Sequence, residues 1–399
     1  MALLKDLSIG GKGSYGIAAS AVEKDDRLYT YLRITDIQDD GSLDTTDLKS
    51  VDNPDASKYL LSPNDIVFAR TGASTGRNYF YDGSDGVFVF AGFLIKFSLD
   101  PQKVNPLFVK YFCQSTQYRN WVKSFSTGST RGNINAQTFG NMDIPLPSRA
   151  AQDYLVSVLS PIDAKIKLNQ KINDNLQQQL RTIFRAKFTD NPELERIEKK
   201  PLSELCNVVT KGTTPTTLGK SFVESGINFI KAESILDDHS IDKSKFAFID
   251  EETNTLLKRS VIHAGDVVFT IAGTLGRFAL IDDNVLPANT NQAVAIIRVD
   301  AKKILPEYIY TCFIGGWHTD YYTKRVQQAV QANLSLTTIK SLPIPVLDKG
   351  EMDEYLRLIL PIIKAIKGNE AQNENLAMLR DSLLPKLMSG EIDVSNIQL

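Results

Sequence analysis

The sequence predicts an α+β protein built from two tandem, related bodies, each followed by a long helix. Three observations predict it: a strand-turn segment that occurs twice, a second shared segment ahead of each helix, and two stretches with coiled-coil spacing. The strand-turn segment Asn64–Asp82 (NDIVFARTGASTGRNYFYD) returns as Gly265–Asp282 (GDVVFTIAGTLGRFALID) with one residue deleted. Asp65, Phe68, Gly72, Gly76 and Arg77 thereby find Asp266, Phe269, Gly273, Gly276 and Arg277. Asn133–Phe139 (NINAQTF) and Ile144–Pro145 match Asn333–Ile339 (NLSLTTI) and Ile344–Pro345. Cys113, two residues after Tyr111, has its partner in Cys312 after Tyr310, which favours a buried structural thiol over a reactive one.

Each element follows from local chemistry. DIVFAR and DVVFTI are β-prone runs entering glycine-containing turns, and Val87–Phe90 and Ala293–Val299 read as further strands. Shorter helices are expected over Pro106–Ser124 and Pro306–Lys324. Apolar residues then recur at alternating spacings of four and three. One seam reads Ile162, Ile166, Asn169, Asn173, Leu176, Leu180, Ile183; the other reads Ile362, Ile366, Asn369, Asn373, Leu376, Arg380, Leu383. Pro161 and Pro361 are read as first-turn prolines, where a missing amide hydrogen costs nothing. A helix of about 25 residues is about 38 Å long. The expected organisation is a first body over 1–148, a spacer helix region over 149–190, a second body over 191–348 and a second helix region over 349–399.

Composition narrows the function. At 399 residues the chain exceeds one ordinary core, which agrees with two domains. Three well-separated cysteines and three scattered histidines suit neither a disulfide frame nor a zinc site, so no metal is expected. The opening MALLKDLSIG is not a signal peptide, and no 18-residue apolar run occurs, so a cytoplasmic protein is expected. A formal charge of −2 argues against a basic nucleic-acid sponge, so local charge must carry any DNA contact. Catalytic motifs are missing. Gly212–Ser221 (GTTPTTLGKS) ends like a phosphate-binding loop, but Thr214 stands where its first glycine belongs. The chain is therefore not expected to be an enzyme.

Two similar domains on two equivalent helices, if those pack antiparallel, are related by an approximate two-fold axis, as the halves of a duplex DNA site are. Because the bodies diverge outside their shared segments, the two half-sites should differ. Asn169, Asn173, Asn369 and Asn373 are candidate register-setting residues, because buried amides pair in only one alignment. Candidate DNA contacts lie in small polar loops with cations. In the first half they are Lys12, Ser14, Tyr15, Arg70, Thr71, Ser74, Arg77, Arg131 and Asn133. In the second they are Lys211, Thr213, Lys231, Thr274, Arg277 and Asn333. From Lys103 to Arg131 five cations occur without an acidic residue, interleaved with Tyr111, Tyr118 and Trp121, a pattern suited to a nucleic-acid face.

Taken together, NDIVFARTGASTGR and GDVVFTIAGTLGR, NINAQTFGNMDIPLP and NLSLTTIKSLPIPVL, the helix endings LRTIFRAKF and LRDSLLPKLMSGEI, and the N-terminal GKGSYGIAASAV resemble the specificity subunits of Type I restriction-modification systems. The resemblance covers nearly the whole chain. It implies two target recognition domains joined by helices that pack as an antiparallel coiled coil. It also implies docking of two modification subunits, which bind S-adenosylmethionine and methylate adenine, and association with restriction subunits driven by ATP and Mg. The chemistry then lies outside this chain, which needs no cofactor of its own. Arg380 departs from the apolar seam and puts the dryness of that end in doubt. The rival reading is a coiled-coil assembly scaffold that binds no specific DNA sequence; it explains the helices but not two divergent, polar-looped bodies.

Overall fold

The computed structural model describes residues 1–125, 132–191, 197–326 and 333–392, without the side chains of 320 and 324–326. The chain forms two compact units. The first comprises Met1–Ile166 and Glu374–Leu399; the second comprises Lys167–Asn373. Each unit therefore combines a mixed α+β body with one segment from each of the long helices, Arg149–Phe184 and Lys349–Ser389.

The two bodies share a topology. In the first unit an antiparallel sheet runs in the order Ser14–Tyr15, Leu94–Ser98, Asp65–Ala69, Asn78–Tyr81. In the second the order is Cys206–Lys211, Val294–Val299, Val267–Thr270, Phe278–Leu280. The apolar run Asp65–Ala69 is buried on both faces because alternate side chains feed two different cores. Ile66 and Phe68 enter a cluster with Phe108, Phe139 and Leu159, while Val67 and Ala69 enter one with Leu32, Tyr79 and Phe90. Val267 and Phe269 diverge from Val268 in the same way. A second sheet with one parallel pairing, of four strands in the first unit and three in the second, covers the far side, through Tyr29–Leu32 with Phe88–Phe90 and Ile227–Ile230 with Ala288–Thr290.

The turn after the central strand requires glycine twice. Gly76 and Gly276 have φ of 88° and 84°, a region that L side chains avoid. A Cβ would also fall 2.4 Å from Val122 Cγ1 or 2.6 Å from the Tyr322 hydroxyl. Asp65 and Asp266, at the start of this strand, are buried at 1% and 0% exposure and accept hydrogen bonds from Ser62 and His263 backbone N–H. Lys96 pairs with Asp65 at 3.1 Å, and Arg298 grips Asp266 with two bonds of 2.7 Å.

Two local expectations are corrected. Pro161 and Pro361 lie inside the long helices, which begin at Arg149 and Lys349. An interior proline costs about 3 kcal/mol. However, Leu155 and Leu159, on the N-terminal side of Pro161, are buried in the first unit's core, and each such burial contributes about 1.5–3 kcal/mol. Packing on the near side of the proline thus outweighs the lost bond. The shorter helices are also each broken in two, as Pro106–Phe112 with Thr116–Lys123 and Pro306–Ile314 with Thr319–Val326. Ser115 caps the second piece of the first pair, and Gly316, at φ 77°, interrupts the other.

Candidate nucleic-acid interface

Tyr15 lies on the exposed edge strand Ser14–Tyr15, paired with Ile95. Arg70 follows the buried strand Asp65–Ala69 directly, which fixes its backbone: its N–H donates to Phe93 O (3.0 Å) and its carbonyl accepts from Ile134 N (2.9 Å). Its guanidinium sits over the Tyr15 ring, 5.1 Å from the centroid. The Tyr15 hydroxyl accepts from Ala136 N (3.2 Å), and Thr71 bridges to Asn133 in a single antiparallel step. Fold topology thus brings together Tyr15, Arg70, Thr71 and Asn133 from three distant segments. Lys12 and Ser14, both exposed, lie on or next to the edge strand. Arg70 Nε is buried with no hydrogen-bond partner.

The second unit builds the same frame with other side chains. Lys211 takes the register position of Tyr15, opposite Ala295, and Ile271, buried at 2%, takes that of Arg70. Leu334 N donates to Ile271 O (2.9 Å), repeating the backbone bond from Ile134, and exposed Asn333 follows Asn133. Thr213 accepts from Arg259 Nη2 at 3.3 Å. Here the cation stands on the edge strand and the turn position is apolar.

Other candidates fall elsewhere. Ser74 is buried. Arg77 is committed to Asp39, at 2.7 and 3.3 Å, and to Ile37 O; Arg277 repeats this with Asp237 and Ile235 O. Both arginines therefore tie the strand-turn frame to an equivalent loop in each unit, closed by the bridge Ile37–Leu43 in the first and Ile235–Ile241 in the second. Lys231 pairs with Glu233 at 2.5 Å. Thr274 is exposed and its carbonyl accepts from Thr270 Oγ1. Arg131 lies outside the described residues. The cation-rich stretch 103–131 is not one face. Tyr111 and Tyr118 are core residues, and Lys110 is bound to Asp163 at 2.7 Å, whereas Arg119 and Lys123 are exposed. Helical spacing sent alternate residues of this stretch inward. Arg259 and Phe93, the latter 60% exposed beside Arg70, escaped the sequence reading because neither lies in a repeated segment.

Within the second unit the long helices meet through asparagines. Asn169 Nδ2 donates to Asn373 Oδ1 and Gln372 Oε1, and Asn369 Nδ2 donates to Asn173 Oδ1, each at 2.8 Å. Rising numbers on one helix meet falling numbers on the other, so the pair is antiparallel.

A family model for the Type I restriction modification DNA specificity domain matches residues 8–178 and again 195–376. The chain belongs to this family. It is the DNA specificity subunit of a Type I restriction-modification system, the non-catalytic member of that complex. Similar proteins include the EcoKI specificity subunit of Escherichia coli, 25% identical over 92% of this chain and 83% of its own. The HindI specificity subunit of Haemophilus influenzae is 22% identical over 86% and 89%. The MjaIX specificity subunit of Methanocaldococcus jannaschii is 22% identical over 73% and 70%. In fold, the specificity subunit resembles the crystal structure of an S subunit from M. genitalium, with a TM-score of 0.52 over 97% of this chain and 95% of that one at 16% identity. Among the described residues of the specificity subunit, no group of three or more His, Cys, Asp or Glu could hold a metal ion, and no helix is long and apolar enough to cross a membrane.

Proposed function

We propose that this subunit reads an asymmetric bipartite duplex site, one half-site per unit, through the surfaces around Tyr15 and Arg70 in the first and Lys211, Thr213 and Asn333 in the second. The observation that carries the reading is a common backbone frame with unlike side chains at equivalent positions: Tyr15 against Lys211, and Arg70 against Ile271. A guanidinium steadied on an aromatic ring keeps its remaining N–H groups free for a phosphate or for the acceptor edge of guanine. Chemistry on the base belongs to partners: two modification subunits that use S-adenosylmethionine and flip the target adenine, and restriction subunits that use ATP and Mg. The similarity to named Type I specificity subunits supports these partners.

An adenine-methylation map of the source cell's genome, with the wild-type gene, without it, and with Arg70→Ala, tests the reading. Deleting the gene should remove one motif of two short unlike halves around a fixed gap. A bidentate base contact contributes about 1–3 kcal/mol of discrimination, so Arg70→Ala should relax or lose one half only. A motif that survives deletion, or two halves altered together by Arg70→Ala, would refute the assignment.

We further propose that the paired asparagines set helix register and, through it, the gap that is read. Replacing Asn169, Asn173, Asn369 and Asn373 with leucine should broaden the methylated motif to more than one gap length. A single unchanged gap would remove this role from them.

A further inference from the structure

The joint between the two long helices has opposite chemistry in the two units. In the first unit the Asp163 carboxylate accepts from Lys110 Nζ (2.7 Å), the Tyr111 hydroxyl (2.9 Å) and Arg380 Nη1 (3.3 Å). The side chains of Asp163 and Arg380 are each only 18% exposed. Burial pushes the Asp163 carboxyl up, but Lys110 and Arg380 more than offset this and hold it below the ordinary carboxylate range.

In the second unit the internal repeat puts Ile363 in place of Asp163, Ile309 in place of Lys110, Tyr310 in place of Tyr111 and Leu180 in place of Arg380. All four replacements belong to one buried apolar cluster. The Tyr310 hydroxyl, whose counterpart donates to Asp163, is buried with no hydrogen-bond partner. The repeat kept the tyrosine and removed its acceptor, so at these positions one joint is ionic and the other apolar.

We propose that this difference is a pairing code that commits a first long helix to a second one and rejects the pairing of like helices between two copies of this chain. The residue that enforces it is Arg380. In a self-paired assembly of two copies, second helix against second helix, Arg380 of one copy would enter the Ile309, Tyr310 and Ile363 environment of the other. There Arg380 would keep only its exposed neighbour Asp381 (2.9 Å) and lose the buried Asp163, while the acidic groups that act on Tyr310 include Glu370 and Asp282, both already held by Lys367; a buried cation deprived of its buried partner is disfavoured. First helix against first helix would put Leu180 beside Asp163, which then loses Arg380 and keeps only Lys110 and Tyr111. Two related repeats joined by similar helices are otherwise open to exchange between copies, and a buried polar position is a known means of restricting helix partners.

Arg380→Leu removes the discrimination at a stroke, because leucine then stands at this position in both joints, while Asp163 keeps Lys110. Two differently tagged full-length copies, expressed together without partner subunits, would be purified through one tag, probed for the other and weighed by light scattering. Wild type and Arg380→Lys should give the single-copy mass with background levels of mixed tags. Arg380→Leu should give two-copy species carrying both tags at least ten-fold above wild type. A folded Arg380→Leu protein that stays single-copy without mixed tags overturns the proposal, as does wild type that mixes freely. If Arg380→Leu fails to fold, the all-apolar joint Lys110→Ile, Asp163→Ile, Arg380→Leu is read by the same two measurements and the same outcomes.

Discussion

Asp266→Ala is expected to lower the thermal midpoint of the second unit by roughly 10 °C, a loss of about 3 kcal/mol in a unit of this size. Asp266 is fully buried at the head of the central strand and accepts three hydrogen bonds, one from the His263 backbone and two from Arg298. Truncation leaves the Arg298 guanidinium, whose side chain is only 26% exposed, with Val261 O as its remaining partner. Removing one member of such a pair costs more than the pair contributes, because the survivor stays desolvated. Asp266→Asn keeps the shape and the acceptor for His263 and should lose less. Thermal unfolding followed by Trp317 fluorescence in a Trp121→Phe background checks this, since Trp317 belongs to the second unit and Trp121 to the first. A midpoint within 2 °C of the parent would show that the ion pair does not hold the strand.

Acid is expected to destabilise the second unit before the first. His239 stacks on Phe278 with ring centroids 4.0 Å apart, and His318 packs edge-on against Phe269 and Phe278. The Nδ1 atoms of both are buried without partners. Burial, reinforced by Arg181 and other nearby cations, pushes His239 down to about 3, and burial alone pushes His318 down to about 4. The sign follows from proton linkage: below about pH 6.5 the unfolded chain takes up protons that the folded unit refuses, so stability falls as pH drops towards 4. Each pKa unit is worth about 1.4 kcal/mol, which makes the loss roughly 3 kcal/mol for His318 alone. All three histidines lie in the second unit, so the first lacks this liability. Unfolding midpoints measured from pH 7 to 4 should converge when His318→Phe is combined with His239→Asn, asparagine being chosen because residue 239 has φ 66°. An unchanged pH slope in that double variant would mean that other groups carry the acid response.

Much of the fold was legible because its signals are local or repeated. A strand buried on both faces reads as a near-continuous apolar run, and IVFA and VVF are such runs. Gly76 and Gly276 recur because each turn needs a positive φ where a Cβ has no room. The seam spacing disclosed two helices, although their starts were misplaced by a dozen residues. The proline signal that set those starts is itself local, and it was outweighed by burial of Leu155 and Leu159 in a core built from distant segments.

The candidate interface was legible in residue type and less so in role. Arg70 and Arg77 stand seven residues apart in one motif and read alike, yet Asp39 occupies Arg77 while Arg70 rests on Tyr15. Arg380 read as a flaw in the seam, and Asp163, unremarkable in sequence, turned out to be its partner. By itself, the sequence determined the duplication, the α+β class, the helices and the specificity-subunit family, because periodicity, glycine geometry and repeats are recorded in neighbouring residues. Only the tertiary structure decided which cations are free, which are tied, and which helix joint is ionic, because a charge's partner and its exposure are set by residues far away in the chain.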